Sequence, residues 1–390
     1  MSTPPAPQGN WNYPTAVRFG VGRISELADA CRDAGISRPL LVTDPGLAKL
    51  PMIDQAQAAN EAEGMPTAVF SDIQPNPVVA NVEAGVVAYT NGGHDGVIAW
   101  GGGSAMDGGK AIALMAGQTR PIWDFEDIGD NWTRADANAI APVIAIPTTS
   151  GTGSEVGRAS VTTNTETHTK KIIFHPRMMP ETVICDPALV AGLPSNLTAW
   201  TGMDALVHCL EAYCAPGYHP MAEGIAVEGL RLIKEWLPKA VADGTDLEAR
   251  AHMMSAAAMG ATAFQKGLGA IHSLSHPVGA IYNAHHGLAN AVFTPYVLVH
   301  NRPAIEDRLD RLARWLGFDG NGYSAILDWT LQLRSTFGIP HTADELGVEE
   351  HRLEELATMA AEDPTAGSNP VPMDTAAMMK LYHTALAGTV

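Results

Sequence analysis

Short apolar runs alternate with stretches of helical periodicity through the first half of the chain. Five apolar runs predict strands, at 38–43, 67–71, 97–100, 141–146 and 182–185. Helical spacing of the apolar residues predicts helices over 24–34, 80–91 and 105–116. Strands that alternate with helices indicate an α/β domain with a parallel, Rossmann-like sheet and right-handed crossover connections.

The pattern changes after Leu193-Pro194, where strand signals fade and long helical patterns follow one another. They cover 198–214, 219–241, 246–264, 268–281, 303–316, 322–337, 349–361 and 373–388. A chain of 390 residues is long enough for two domains, each with its own core. We therefore predict an α/β domain at 1–194 and an all-helical domain at 195–390, with a loop over 362–372.

The helical half concentrates residue types that bind metals. Asp204 and His208 stand four residues apart in a predicted helix, so both side chains leave the same face. Four histidines follow within residues 266–291, namely His272, His276, His285 and His286. Imidazole nitrogen and carboxylate oxygen suit Fe, Zn, Ni or Co. A metal site fits this pattern, and so does a set of hydrogen-bonded core histidines with an Asp204–His208 ion pair.

A glycine-rich loop follows the third predicted strand and precedes a predicted helix. It reads Gly101-Gly102-Gly103-Ser104-Ala105-Met106-Asp107-Gly108-Gly109-Lys110. Glycine lets backbone amides approach a phosphate closely, and a helix N-terminus adds partial positive charge. Met106 occupies the third glycine position of the usual dinucleotide fingerprint, and Ala111 stands where a Walker A loop has Ser or Thr. Phosphate binding and a tight structural turn both remain open.

Two further polar positions at predicted strand ends suit a nucleotide. Asp44 follows the first predicted strand, where a carboxylate can accept hydrogen bonds from both ribose hydroxyls and repel a 2′-phosphate. A helix N-cap or a turn explains the same residue equally well. The Thr/Ser/Gly run 147–154 follows the fourth strand and includes Thr148, Thr149 and Thr152. Its hydroxyls suit contacts to ribose, pyrophosphate or the nicotinamide amide, although a capped loop looks similar.

Composition and charge exclude several classes of partner. The formal net charge is −18, and no basic run is present, which argues against nucleic acid and against an anionic membrane surface. The N-terminal residues do not resemble a signal peptide, and no apolar window is long enough to predict a membrane span. The four cysteines have no CxxC spacing, so we expect free thiols and a cytoplasmic location. The low content of charged residues, 17%, suggests a homodimer or a larger homo-oligomer.

Taken together, these motifs resemble those of the iron-containing (group III) alcohol dehydrogenases over nearly the whole chain. The matching stretches are Phe19-Gly20, Pro75-Asn76-Pro77, Gly101-Gly102-Gly103-Ser104-x-x-Asp107, Ile146-Pro147-Thr148-Thr149-x-Gly151-Thr152, Asp186-Pro187, Thr201-Gly202-Met203-Asp204-Ala205-x-x-His208 and His272-x-x-x-His276-Pro277. Each piece alone is weak, whereas the combination is highly specific. Two positions depart from the family pattern, because His285 stands where proline is frequent and Gly109 where alanine is frequent.

The resemblance implies a dehydroquinate synthase-like fold with NAD(P) on the first domain and a metal on the second. It implies that the four metal ligands are Asp204, His208, His272 and His286. It also places His276 near the nicotinamide, which makes this histidine a candidate catalytic proton relay. The implied ion is Fe(II), with Zn(II) as the alternative.

The resemblance and the two loops together give a set of predicted cofactor contacts. They are Asp44, Asn76, Gly101, Gly102, Gly103, Ser104, Asp107, Thr148, Thr149, Thr152 and Lys170. Asn76 and Lys170 are included because they fall on family positions that contact the cofactor. The Asp44 position resembles that of family members that prefer NAD over NADP.

The implied function is a metal-dependent, NAD-dependent alcohol dehydrogenase or aldehyde reductase that acts on a small primary or secondary alcohol. One alternative is a polyol dehydrogenase of the glycerol or propanediol type, or a hydroxy-acid dehydrogenase, in the same superfamily. A maleylacetate-type reductase is disfavoured, because such an enzyme is expected to lack the metal-binding residues that are intact here. The third alternative is a sensor that binds NAD and metal without catalysis.

Overall fold

The computed structural model describes residues 9–11, 15–167, 169–320 and 322–390. The chain divides into two compact units. The first contains the described residues up to Thr149, together with Gly153–Leu193 and Gly244–Met254. The second contains Ser150–Thr152, Pro194–Asp243 and Ser255–Val390.

The first unit is built on a seven-stranded sheet. In chain order the sheet strands are β1 (Gly9–Trp11), β2 (Ala16–Phe19), β3 (Pro39–Val42), β4 (Ala68–Phe70), β5 (Gly96–Gly101), β6 (Val143–Pro147) and, after a separate hairpin, β9 (Thr182–Cys185). Their spatial order is β1-β2-β9-β6-β5-β3-β4. All neighbouring pairs are parallel except β1 with β2, so six strands form the predicted parallel sheet. The predicted fold class is confirmed.

Among the described residues of this unit, four helices accompany these strands: α1 (Leu27–Asp33), α2 (Pro51–Ala62), α3 (Val79–Asn91) and α4 (Gly103–Met115). The sequence patterns did not predict α2, which begins with a proline at its first position, where no backbone N–H is needed. Alternate strand residues belong to two apolar clusters: Leu40 and Val42 pack in one, and Leu41 and Trp100 in the other. Burial on both faces explains the uninterrupted apolar runs of the central strands.

A two-stranded antiparallel hairpin in the first unit was not predicted. It consists of β7 (Ala159–Asn164) and β8 (Thr169–Phe174). Half of its residues are Thr, Ser or Lys, and β7 alternates between buried and half-buried positions. Such a polar, half-covered strand lacks the continuous apolar run by which the sheet strands were identified.

The second unit is helical. Its helices are α5 (Ser195–Cys214), α6 (Pro220–Ala242), α7 (Leu247–Ala263), α8 (Ala270–Tyr282), α9 (His286–Trp315), α10 (Gly322–Thr336), α11 (Leu353–Glu362) and α12 (Thr375–Ala387). The first residues of α7 belong to the first unit. Helix α9 starts at His286, whereas the sequence pattern predicted a start at 303. The predicted loop over 362–372 contains a short 3₁₀ helix, Pro364–Ser368.

Helix α5 is the most buried element of the second unit. Nearly all of its side chains are buried, and it packs against α6 and α9. None of the helices that the structure describes is long and apolar enough to cross a membrane. All four cysteines are buried and unpaired: Cys31, Cys185, Cys209 and Cys214.

Candidate metal centre and cofactor loops

Three of the four predicted metal ligands converge in the second unit. Asp204 and His208 lie one turn apart on α5, and His272 lies in the first turn of α8. Their candidate ligand atoms all lie within 4.8 Å of one another, and all three residues are buried. The rings of His208 and His272 stack with 4.8 Å between centroids. One carboxylate and two imidazoles that share a buried point form a donor set that suits Fe(II) or Zn(II).

Glu211, which the sequence analysis missed, fixes the orientation of His272. Its Oε2 lies 2.6 Å from His272 Nδ1 and accepts a hydrogen bond from the backbone N–H of Gly269 at 3.0 Å, while Oε1 accepts one from Ile271 N–H at 2.8 Å. A carboxylate can only accept, so the proton sits on Nδ1 and the Nε2 lone pair is available to a metal. Glu211 lies seven residues after Asp204 and three after His208, so it shares their helix face. This spacing is the signal that identifies it.

Burial and charge act oppositely on the two histidines. Burial lowers the pKa of His208 to about 4, so its ring is neutral at neutral pH, as ligation requires. Burial also disfavours protonated His272, but the charge and hydrogen bond of Glu211 outweigh it and raise the pKa of His272 above its usual value. Glu211 therefore favours the charged form of His272, whereas burial favours the neutral form of His208.

His286, the fourth predicted ligand, lies beside this set. It is the first residue of α9, and its Nε2 lies 3.6 Å from Asp204 Oδ1. The next residue, Gly287, permits this approach, since a Cβ there would lie 2.2 Å from the carbonyl oxygen of Trp200 on α5. His286 is not part of the three-residue cluster, so its role as a ligand remains a prediction. His285 occupies the N-cap position of α9 without a capping side-chain hydrogen bond, and it packs against the Trp200 ring with 5.1 Å between centroids.

Asn290, also missed, lies at the centre of these residues. Its Nδ2 donates to Asp204 Oδ1 at 2.8 Å, and it lies 3.1 Å from His286 Nε2 and 3.4 Å from His272 Nε2. The side chain is completely buried. Its position one turn after His286 is the signal that points to it.

His276, the predicted catalytic residue, is paired with a carboxylate. Its Nδ1 lies 2.7 Å from Asp363 Oδ2, and its ring stacks on that of His286 with 5.3 Å between centroids. Asp363 also accepts hydrogen bonds from Thr365 N–H at 2.9 Å and from Thr365 Oγ1 at 2.5 Å. Burial opposes its ionisation, but the charge and hydrogen bond of His276 and the Thr365 bonds lower the pKa of Asp363 to about 2. Asp363 is far from His276 in sequence, and no pattern there indicated it.

The predicted glycine loop lies in the first unit, between β5 and α4. Gly101 has φ +149°, and a Cβ there would lie 2.7 Å from the Cβ of Ala105, so the turn requires glycine. Its carbonyl accepts a hydrogen bond from Thr148 N–H at 2.9 Å. A Cβ on Gly102 would lie 3.3 Å from Thr149 Cγ2. The two predicted cofactor loops are thus neighbours at the carboxyl ends of β5 and β6.

Asp44 holds the turn after β3, which is one of the two interpretations that its sequence position allowed, and contact with a ribose remains a prediction. Its Oδ1 accepts hydrogen bonds from Gly46 N–H at 2.8 Å and Leu47 N–H at 3.0 Å, so one oxygen holds the turn. The other oxygen faces the glycine loop, because a Cβ on Gly101 would lie 3.6 Å from Oδ2. The capping oxygen and the loop-facing oxygen are different atoms, so one role does not prevent the other.

Asp107 makes contacts within the protein. It accepts hydrogen bonds from Ser154 Oγ at 2.5 Å and from Val161 N–H at 2.9 Å, and Lys110 Nζ lies 3.2 Å away. Lys110 also donates to the Ser154 carbonyl at 3.0 Å. This buried ion pair connects α4 to the loop that follows β6, so Asp107 positions that loop, and a direct cofactor contact by Asp107 remains a prediction.

The remaining predicted cofactor contacts are distributed between the units. Lys170 lies on β8 opposite Thr163 of β7, and Thr163 N–H donates to the Pro77 carbonyl, next to Asn76, at 2.8 Å. The segments that carry Asn76 and Lys170 therefore meet at one end of the hairpin. Thr152 belongs to the second unit.

Comparison with known proteins covers nearly the whole chain. Residues 14–187 match the family model for iron-containing alcohol dehydrogenase, and residues 198–386 match the model for the C-terminal domain of the Fe-containing alcohol dehydrogenase family. The chain is 40% identical over 371 residues to a 4-hydroxybutyrate dehydrogenase of Cupriavidus necator, covering 92% of this chain and 94% of that protein.

Two more relatives extend this finding. An NAD-dependent methanol dehydrogenase of Bacillus methanolicus is 36% identical over 93% of this chain and 95% of its own length. The crystal structure of a 1,3-propanediol oxidoreductase superposes with a TM-score of 0.90 at 33% identity, covering 98% of this chain and 100% of that one. Sequence and fold therefore lead to the same group of proteins.

Proposed function

Since the chain belongs to the iron-containing alcohol dehydrogenase family, we propose that Asp204, His208, His272 and His286 hold the metal of an alcohol dehydrogenase. The enzyme is an NAD-dependent oxidoreductase that acts on alcohols. The observation that carries the ligand proposal is the convergence of Asp204, His208 and His272 at one buried point. Glu211 adds to it by leaving the Nε2 lone pair of His272 available.

Lewis acidity toward the substrate oxygen is the chemistry that an ion bound there supplies. The chain's own residues hold the catalytic side chains in position and transfer protons. Asp363 holds the proton of His276 on Nδ1, so Nε2 is the atom that exchanges a proton with substrate or solvent. We propose His276 as the proton relay, with Asp363 holding its ring in place. Fe(II) is the ion that the family name favours, and the same donor set also accepts Zn(II).

We propose that the two neighbouring loops of the first unit bind NAD. The amides at the start of α4, from Gly103 and Ser104, supply partial positive charge for the pyrophosphate. Thr148 and Thr149 supply hydroxyls for the ribose or the nicotinamide amide. Asn76 and Lys170 complete the contacts from the hairpin side of the unit.

Asp44 is proposed to favour NAD over NADP. Its Oδ2 faces the glycine loop and is suited to accept hydrogen bonds from a ribose hydroxyl pair. A 2′-phosphate at that position would meet a carboxylate, and the repulsion would weaken its binding.

The proposed substrates are small primary or secondary alcohols and the corresponding aldehydes or ketones. A hydroxy acid or a diol is the second candidate, because the relatives include a 4-hydroxybutyrate dehydrogenase and a 1,3-propanediol oxidoreductase. The buried, unpaired cysteines support a reducing compartment such as the cytoplasm. A homodimer or larger assembly remains part of the proposal.

The first test is NADH oxidation with a panel of short aldehydes, ketones, a hydroxyaldehyde and a four-carbon semialdehyde acid. The panel is run after chelation and again after Fe(II) or Zn(II) is added back without oxygen. Activity that disappears and returns with one ion supports the metal role and ranks the substrates. Full activity in protein shown by elemental analysis to be metal-free would contradict it, and no turnover with any substrate would favour the sensor alternative.

His272→Ala tests the ligand assignment directly. We expect loss of both bound metal and turnover, while NAD binding, followed by titration, persists because the loops lie in the other unit. His351→Ala serves as the control, since that side chain is 72% exposed. Unchanged metal content in the His272 variant would exclude His272 as a ligand.

A further inference from the structure

Asn290 reaches the candidate ligands from the interior of the second unit. Its Nδ2 contacts Asp204 Oδ1 of α5 at 2.8 Å, and the Nε2 atoms of His286 and His272 at 3.1 and 3.4 Å. The side chain therefore joins residues on three helices, α5, α8 and α9. The atoms it meets are the same atoms that the proposed metal would use.

The chemistry of the neighbours decides the orientation of the Asn290 amide. The Asp204 carboxylate can only accept a hydrogen bond, so the nitrogen of the amide, and not its oxygen, must face it. One of the two N–H bonds is directed at Asp204, and the other lies within reach of the two Nε2 atoms. His272 can accept there, because its Nδ1 proton is engaged by Glu211. A histidine that accepts at Nε2 has the lone pair that a metal ligand needs.

The oxygen of the Asn290 amide shows that packing alone does not account for an asparagine at this position. Asn290 Oδ1 is buried and has no hydrogen-bond partner among the residues that the structure describes. A buried acceptor without a partner is costly, and leucine, which has the same branched shape, would avoid that cost. The contacts made by Nδ2 are therefore what the residue contributes at this position.

We propose that Asn290 is a positioning residue of the metal centre. Before the ion binds, its Nδ2 holds Asp204, His272 and His286 around one point. The ion then enters a set of ligands that is already assembled, so less ordering is needed when it binds. This proposal rests on the proposed metal site.

The test compares metal affinity in Asn290→Ala and Asn290→Leu with that of the wild type. Zn(II) and Co(II) affinities are measured by competition with a chelator on the full-length protein, and the visible spectrum of the Co(II) form reports the ligand geometry. We expect both variants to bind about 10- to 100-fold more weakly, the usual effect of losing a group that supports a metal ligand. The Co(II) spectrum is expected to change as well, which a remote loss of stability would not cause.

Asn60 provides a matched control in the first unit. It is a buried helical asparagine whose Nδ2 donates to Thr67 Oγ1 at 3.1 Å, and its Oδ1 also has no partner among the described residues. Asn60→Ala and Asn60→Leu therefore make the same chemical change away from the metal site, and their metal affinity should equal that of the wild type. If Asn290→Leu fails to fold, Asn290→Ala compared with Asn60→Ala decides the question.

The possible failures are distinguishable. Wild-type protein that binds neither ion would refute the proposed metal site itself. Wild-type binding with unchanged affinity in both Asn290 variants would refute only the positioning role. Weak binding in Asn290→Ala with normal binding in Asn290→Leu would show that the residue fills space and would also overturn the proposal.

Discussion

Replacing Glu211 with glutamine should destabilise the protein through one lost hydrogen bond and weaken the metal site through the lost charge. The carboxylate accepts three bonds: Ile271 N–H on Oε1, and Gly269 N–H and His272 Nδ1–H on Oε2. A glutamine has one acceptor oxygen and one NH₂ group. If the NH₂ takes the Oε1 position, the bond from Ile271 N–H is lost. If it takes the Oε2 position, the bonds from Gly269 N–H and His272 Nδ1–H are both lost. We therefore expect the variant to retain the bond to His272 and lose the bond to Ile271.

The number of hydrogen bonds to Glu211 sets the expected loss of stability. Leaving one buried donor without a partner costs about 1–3 kcal/mol, so Glu211→Gln should destabilise the metal-free protein by about that amount. Glu211→Ala would leave three buried donors and cost about 3–9 kcal/mol, which approaches the total stability of a typical domain. Glutamine is therefore the informative change. Metal affinity should fall about tenfold, because a neutral amide makes His272 a weaker ligand than a carboxylate does.

Urea denaturation of the metal-free protein and chelator competition for Zn(II) measure the two effects separately. Glu228→Gln is the control, because that carboxylate forms an exposed pair with Arg231 on α6, and such pairs contribute about 0–1 kcal/mol. Wild-type values for both the unfolding free energy and the metal affinity of Glu211→Gln would refute the reasoning. A loss of stability with normal metal affinity would show that Glu211 only caps α8.

Two other predictions concern the first unit. Asp44→Asn keeps an oxygen for the turn but removes the charge, so the ratio of kcat/KM for NAD to that for NADP should fall by about tenfold or more, as expected when about 1.4 kcal/mol of repulsion is lost; an unchanged ratio would exclude Asp44 as the determinant. Burial raises the pKa of Glu155 from 4.5 to about 7, against the weaker opposing effect of Lys110, so folding disfavours the charged form. The resulting destabilisation is absent below pH 4.5, grows as the pH rises to 7 and is complete above it. Glu155→Gln should therefore gain about 3 kcal/mol over the wild type between pH 5 and pH 8 in urea denaturation, at about 1.4 kcal/mol per pKa unit, and a gap independent of pH would contradict this.

The sequence predicts the sheet well because its strands are buried on both faces. Strand β5 is one apolar run that ends in three glycines, and both features are local in the sequence. The hairpin β7–β8 was missed because its strands are polar and only half covered. The start of α9 was missed because Pro303 resembles the first residue of a helix, whereas the helix continues through it from His286.

The candidate ligands were visible in the sequence, but the residues that hold them were not. Asp204 and His208 share a helix face by spacing alone, and the family motifs add His272 and His286. Glu211 and Asp363 act on histidines that are 61 and 87 residues away in the chain. Only the packing of α5, α8 and the segment after α11 brings those groups together, and no local pattern encodes it.

The burial of the four cysteines has a consequence for an enzyme that handles aldehydes. Aldehydes are electrophiles, and thiolates add to them readily. Burial raises the pKa of Cys31, Cys209 and Cys214 to about 12, and that of Cys185 well above its usual value, so native thiols are both protonated and out of reach. In the folded protein, aldehydes therefore meet no reactive cysteine. An unfolded molecule exposes all four cysteines, and an excess of aldehyde can then react with them and prevent refolding.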